Sequence, residues 1–138
     1  MTMRIIRAEK RHFKDMGWLK THWLFSFSDY YDPNNVKHGT LRVFNDDEIA
    51  PNSGFSMHPH SDMEIVTIVL DGEITHEDNM GNHEVIKAGE IQRITAGSGI
   101  YHSEFNNGNK PLRLYQVWIF PNKKDLEPGY EIRSFNSD

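Results

Sequence analysis

The sequence predicts an all-β domain. Three observations carry that expectation: runs of Val, Ile, Thr and aromatic residues, turn residues at short intervals between them, and almost no helical spacing. Residues 64–70, 90–95 and 112–120 are the strongest runs and read as strands. The turn signals are Asp32-Pro33-Asn34-Asn35, Pro51-Asn52-Ser53-Gly54, Asp71-Gly72, Asn79-Met80-Gly81-Asn82, Gly97-Ser98-Gly99 and Asn106-Asn107-Gly108-Asn109. Asp71-Gly72 and the 79–82 tetrad sit where hairpins turn, so 73–77 is expected to pair with 83–86. A brief helix is expected only near residues 12–19. Several antiparallel strands of this length make a β-sandwich or small barrel, whose interior can hold a ligand.

The chain has 138 residues, the size of one domain, and no linker or internal repeat interrupts it. Apolar residues make up 37% and include three Trp and eight Phe, enough to build a core and to exclude wholesale disorder. With 15 basic against 20 acidic side chains, a basic nucleic-acid face is disfavoured. The longest uncharged apolar stretch, residues 65–70, falls far short of the roughly 20 residues of a membrane span. No secretory signal opens the chain, so the expectation is a soluble cytoplasmic protein. The absence of cysteine excludes disulfides, thiolate metal sites and cysteine nucleophiles.

Eight histidines stand out against this background. His58-Pro59-His60 places two imidazoles at i and i+2, which face the same way in an extended strand. His102-Ser103-Glu104 repeats the spacing with an imidazole and a carboxylate. Three imidazoles and one carboxylate suit a divalent first-row metal and leave positions open for chemistry. Iron(II) is the expected ion, with nickel, manganese, copper and zinc as alternatives, because residue types alone do not choose the element. His12, His22, His38, His76 and His83 are read as surface or hydrogen-bonding residues. By strand alternation Phe55, Met57 and Tyr101 are expected to point away from the cavity.

The stretch from Gly54 through His58, His60 and Glu64 to Gly72 resembles the first cupin motif. Gly89, Thr95-Ala96-Gly97, His102 and Asn106 resemble the second. More narrowly, the chain resembles the pirin family. The signatures are Gly17-Trp18-Leu19, Phe25-Ser26-Phe27, Tyr31-Asp32-Pro33, Leu41-Arg42-Val43, Asp46-Asp47 and the run from Thr95 to Asn106. The resemblance implies a double-stranded β-helix, the jelly-roll barrel of cupins, over residues 1–138, matching the N-terminal half of a bicupin without the second cupin. It implies one metal ion on His58, His60, His102 and Glu104, with Glu64 structural or next to the ligands. It further implies oxidative ring opening of a flavonol such as quercetin, with dioxygen consumed, carbon monoxide released and Glu104 as ligand or base. The alternative is a non-catalytic metal-binding module that meets a protein partner, or a domain whose metal only supports the fold. Without a second cupin, an exposed apolar face would favour a homo-oligomer.

Overall fold

The computed structural model describes residues 1–135. Eleven strands follow in order: β1 (His12–Asp15), β2 (Leu19–Trp23), β3 (Leu41–Ile49), β4 (Ser53–His60), β5 (Glu64–Asp71), β6 (Glu73–Asp78), β7 (His83–Lys87), β8 (Glu90–Thr95), β9 (Ile100–Asn106), β10 (Leu112–Ile119) and β11 (Gly129–Ser134). They form a seven-stranded sheet, β1-β2-β3-β10-β5-β8-β11, and a four-stranded sheet, β4-β9-β6-β7, with antiparallel pairing throughout. The chain passes repeatedly between the sheets, the jelly-roll arrangement expected from the sequence. All the strong runs and the 73–87 hairpin are strands as expected. No helix among the described residues is long and apolar enough to cross a membrane.

The expectation of a short helix near residues 12–19 is wrong. That segment makes β1, a turn at Gly17 with positive φ, and the start of β2, while the lone helical turn among the described residues is Ala8–Lys10. Period-two burial decides it: Leu19, Thr21 and Trp23 face inward and pair along β3.

The two sheets close over a core split in two. One cluster joins Leu19, Ile49, Val69, Leu112 and Leu114 to Ile74 and Ile86 of the smaller sheet. The other joins Ile65, Ile94 and Ala96 to Ile100. Between them the inner face of the larger sheet turns polar. Asn45 pairs with Gln116, Gln116 with Thr67 and Thr67 with Gln92, so four neighbouring strands place hydrogen-bonding side chains in one transverse row. Opposite this row lie the inward residues of β4, β9 and β6.

Strand β4 is at the edge of its sheet, where Pro59 removes no ladder donor the fold requires. Its pairing with β9 is irregular. Phe55 lies opposite Glu104 and His58 opposite His102, so three steps along β4 match two along β9. The bulge shifts the side-chain alternation by one residue. As a result His58 and His60 face inward as expected, and so does Phe55, which packs on the first core cluster and against Trp18. The expectation that Phe55 points away is therefore corrected. Met57 and Tyr101 do point out, each about half exposed.

Gly54 secures this register. A Cβ there would lie 2.3 Å from the Glu104 carbonyl oxygen and 2.6 Å from the Phe105 Cα, both main-chain atoms of β9. Gly54→Ala should therefore force the strands apart and cost about 1–3 kcal/mol. Chemical denaturation checks this; an unchanged midpoint would show that the close approach is not a constraint.

Candidate metal centre

The bulged pairing of β4 with β9 brings the expected histidines together. One ring nitrogen from each of His58, His60 and His102 lies within 4.8 Å of the others. The ring centroids are 4.7 Å apart for His58 and His60, 4.5 Å for His58 and His102, and 4.8 Å for His60 and His102. The Nδ1–H of His58 donates to the Ser56 carbonyl over 2.6 Å, which leaves Nε2 as the free lone pair. His102 is fully buried, and neither of its ring nitrogens has a hydrogen-bond partner among the described residues.

The surroundings keep two of these rings neutral. Burial pushes the His60 imidazole down to about 4, and the neighbouring His102 and His58 add to the effect. His102 is pushed down to about 3 by burial, then by His58 and His76. Unprotonated imidazoles at neutral pH are what a cation requires. The orphaned nitrogens and the donor set thus fit a divalent ion.

Glu104 is buried next to His102, its Oε1 3.5 Å from His102 Nε2, and lies outside the cluster in which the three histidine nitrogens fall within 4.8 Å of one another. Both of its oxygens accept hydrogen bonds from amides, Oε1 from Gln116 at 3.2 Å and Oε2 from Gln92 at 3.4 Å. Each amide is turned by a group at its other end. The Trp118 indole N–H donates to Gln116 Oε1 and the Tyr130 hydroxyl to Gln92 Oε1, each over 3.0 Å. Because the indole nitrogen only donates, Gln116 must present its amino group to the carboxylate. The Trp118 ring also meets His60 edge-on at 5.0 Å.

His76, read as an ordinary histidine, belongs to this neighbourhood. It is fully buried and lies 5.4 Å from the His102 ring, stacks on Tyr130 at 4.4 Å and bonds Asp78 through Nε2 at 2.6 Å. Its His-x-Asp spacing on β6 repeats the pattern of the other pairs and was the available signal. Burial pushes the Asp78 carboxyl up, but bonds from His76, Asn82 and Met80 outweigh this and hold it below the usual range. The remaining histidines stay apart: His12 stacks on Trp23 and Tyr30, and His83 faces Glu77 at the surface. Glu64 accepts from Thr95 on the larger sheet, and Asn106 ties β9 to the Ile49 and Lys110 carbonyls, so both are structural.

Next to the centre is a pocket of about 170 Å³. Its walls include Trp23, Phe27 and Phe55, and Asn45, Asp47 and Gln116 bring polar groups to it. Gln116 links it to Glu104, and the Phe55 ring meets the His58 ring at 6.4 Å.

Residues 6–119 match the pirin family model. The chain belongs to the pirin family. It is 54% identical over 121 residues to a pirin-like protein of Caulobacter vibrioides, covering 88% of this chain and 52% of the relative. Over 132 residues it is 48% identical to the quercetin 2,3-dioxygenase of Escherichia coli K12, covering 95% of this chain and 57% of that enzyme. A crystal structure of the bacterial pirin YhhW of Escherichia coli in complex with nickel(II) superposes with a TM-score of 0.91 at 47% identity, over 94% of this chain and 57% of that one. This pirin thus spans about half the length of the curated relatives it matches. The superposition identifies its two facing sheets as the cupin jelly roll.

One buried acid makes the pirin's stability depend on pH. Burial pushes the Asp47 carboxyl up to about 7, aided by Glu104 and Asp46 and opposed by the Thr21 hydroxyl, which donates to it over 2.5 Å. A folded value above the ordinary aspartate value of 3.8 means that folding takes up a proton between those limits. Stability from this group is therefore lost as pH rises through about 7. Asp47→Asn keeps an acceptor for Thr21 and removes the titration, so it should gain on the parent as pH rises, reaching about 1–2 kcal/mol above pH 7. Urea unfolding at pH 5 and pH 8 measures this; an equal difference at both would refute the linkage.

Proposed function

We propose that this pirin is a mononuclear metal enzyme that cleaves a flavonol such as quercetin, with dioxygen consumed and carbon monoxide released. His58, His60, His102 and Glu104 would hold the ion, iron(II) first, with nickel, manganese, copper and zinc as alternatives. The observation that carries this reading is the convergence of three histidines, two of them held neutral, beside a carboxylate fixed at both oxygens by Gln92 and Gln116. Homologues named quercetin 2,3-dioxygenase support the reaction class, and a nickel(II) complex of a related pirin supports a single metal.

The bound ion would supply Lewis acidity to the oxygen pair formed by a flavonol's 3-hydroxyl and 4-carbonyl. Glu104 Oε1 faces His102 and is the group positioned to take the hydroxyl proton. Gln116 and Gln92 hold that carboxylate in place, and their own orientation is set by Trp118 and Tyr130. The Trp118 and Phe55 rings beside His60 and His58 limit water access. All four proposed ligands lie in this one domain, so the reading has residues 1–138 binding the ion without a second cupin.

Elemental analysis after anaerobic reconstitution tests the site. The parent should carry close to one ion per chain, and a His58→Ala/His60→Ala variant should carry almost none. Aerobic flavonol turnover then tests the reaction, and Glu104→Gln should slow it by about 10²-fold or more. A parent that binds metal and leaves flavonols intact would overturn the enzyme reading in favour of a metal-bearing interaction module.

A further inference from the structure

Asn45 and Asp47 lie two residues apart on β3, facing the same way into the pocket beside the metal centre. Both are almost fully buried, at 4% exposure each. Asp47 commits one oxygen to Thr21, and its other oxygen accepts no hydrogen bond among the described residues. Asn45 Oδ1 is buried without a partner, and its amide nitrogen makes no bond among the described residues either. An unmet amide next to a half-used carboxylate is expensive in an apolar pocket unless a ligand completes it.

The rest of the lining defines that ligand. Trp23, Phe27 and Phe55 offer aromatic faces and edges, the walls of a slot for a flat apolar ring. At about 170 Å³ the slot is close to the roughly 150 Å³ cavity that accepts benzene, and far below what a three-ring molecule needs. Above about pH 7, where Asp47 is ionised, its carboxylate only accepts, so the ring must bring hydroxyl hydrogens, and a hydroxyl can both donate to Asp47 and meet Asn45.

We propose that this pocket is a binding site for one hydroxylated aromatic ring, with Asp47 and Asn45 as the residues that read its hydroxyl groups. The proposal deepens the reading of an aromatic substrate at the adjacent centre: one ring of the substrate docks here, and ring hydroxylation becomes a determinant of specificity. Asp47 and Asn45 are positioning residues, since neither belongs to the proposed ligand set. Gln116 lines the slot and donates to Glu104, so occupancy of the ring site touches the residue that holds the proposed base.

Binding of resorcinol and of its dimethyl ether separates recognition from size, because the two share a ring and differ in donors. Both are titrated into the full chain at pH 8, where Asp47 is ionised, with a chelator present so that no metal contributes, and the emission of Trp23 and its neighbours is followed. Resorcinol should bind about tenfold or more tightly than the ether. Asp47→Asn and Asn45→Ala, with denaturation curves confirming that they are folded, should each reduce that preference several-fold. Equal binding of the two compounds, no binding of resorcinol, or a full preference in the folded variants would overturn the proposal. The parent comparison stands even where a variant does not fold. Failure here is distinct from failure of the enzyme reading. Discrimination by a chain that leaves flavonols intact keeps the ring site and removes the reaction, whereas turnover without discrimination does the reverse.

Discussion

Two β-sheets that face each other ordinarily meet through apolar side chains alone, yet in this barrel one transverse row of the inner face is built from Asn45, Gln116, Thr67 and Gln92. Burying that row is costly wherever a group lacks a partner, and the neighbouring architecture follows from this cost. Trp118 and Tyr130 are spent on orienting the two glutamines, and the glutamines in turn fix Glu104. The apolar core divides into two clusters because the row passes between them. The buried polar atoms that still lack partners, on Asn45, Thr67, His76 and His102, lie along the row or on residues facing it, with the Arg11 guanidinium as the one exception among the described residues. A polar band of this kind is weak support for stability and strong support for a bound polar species.

The second constraint is the bulge in β4. A regular strand would put Phe55 and His58 on opposite faces. The extra residue opposite β9 lets the aromatic wall of the pocket and the imidazoles share one face, so that the apolar slot and the cation-binding cluster adjoin. Gly54 permits the close approach of the two main chains just before the bulge. Placing the imidazoles on paired strands, with His58 directly opposite His102, fixes their separation more tightly than a loop would.

Residue composition made most of the fold legible, because residues 64–70, 90–95 and 112–120 are rich in β-branched and aromatic side chains and are bounded by Gly and Asn turns. The paired His-x-His and His-x-Glu spacings made the imidazole cluster legible because alternation within one strand needs no knowledge of its partner. What escaped depended on partners. Whether Phe55 faces in or out is decided by how β4 pairs with β9, and a bulge leaves no mark in the local pattern. His76 reads as one histidine among eight until β6 is seen to pair beside β9 and to oppose it to Glu104. Asn45 and Asp47 sit in the run Asn45-Asp46-Asp47-Glu48, the composition of a solvated face. Burial overrides that reading because β3 is flanked by β2 and β10, with Asp46 taken up by Arg113 on the opposite face. Residues 12–19 were drawn toward helix by their spacing, and strand pairing along β3 prevailed.

The titrating groups inside the barrel oppose one another. His60 and His102 are pushed down and stay uncharged in the folded state, so folding releases their protons as pH falls from the ordinary histidine range toward about 4 and 3. Asp47 is pushed up and takes a proton when the chain folds below about pH 7. In the acidic range the two effects have opposite slopes, and the histidines outnumber the acid, so stability rises with pH until their ordinary range is passed; beyond it only the downward slope of Asp47 remains. Both shifts have burial as their largest cause, and both leave the interior poor in charge. Glu104 is what makes the arrangement asymmetric: its charge works against the loss of protons from His60 and against the ionisation of Asp47. A barrel interior tuned in this way keeps the His60 and His102 imidazoles uncharged, the condition under which their nitrogen lone pairs are open to a cation.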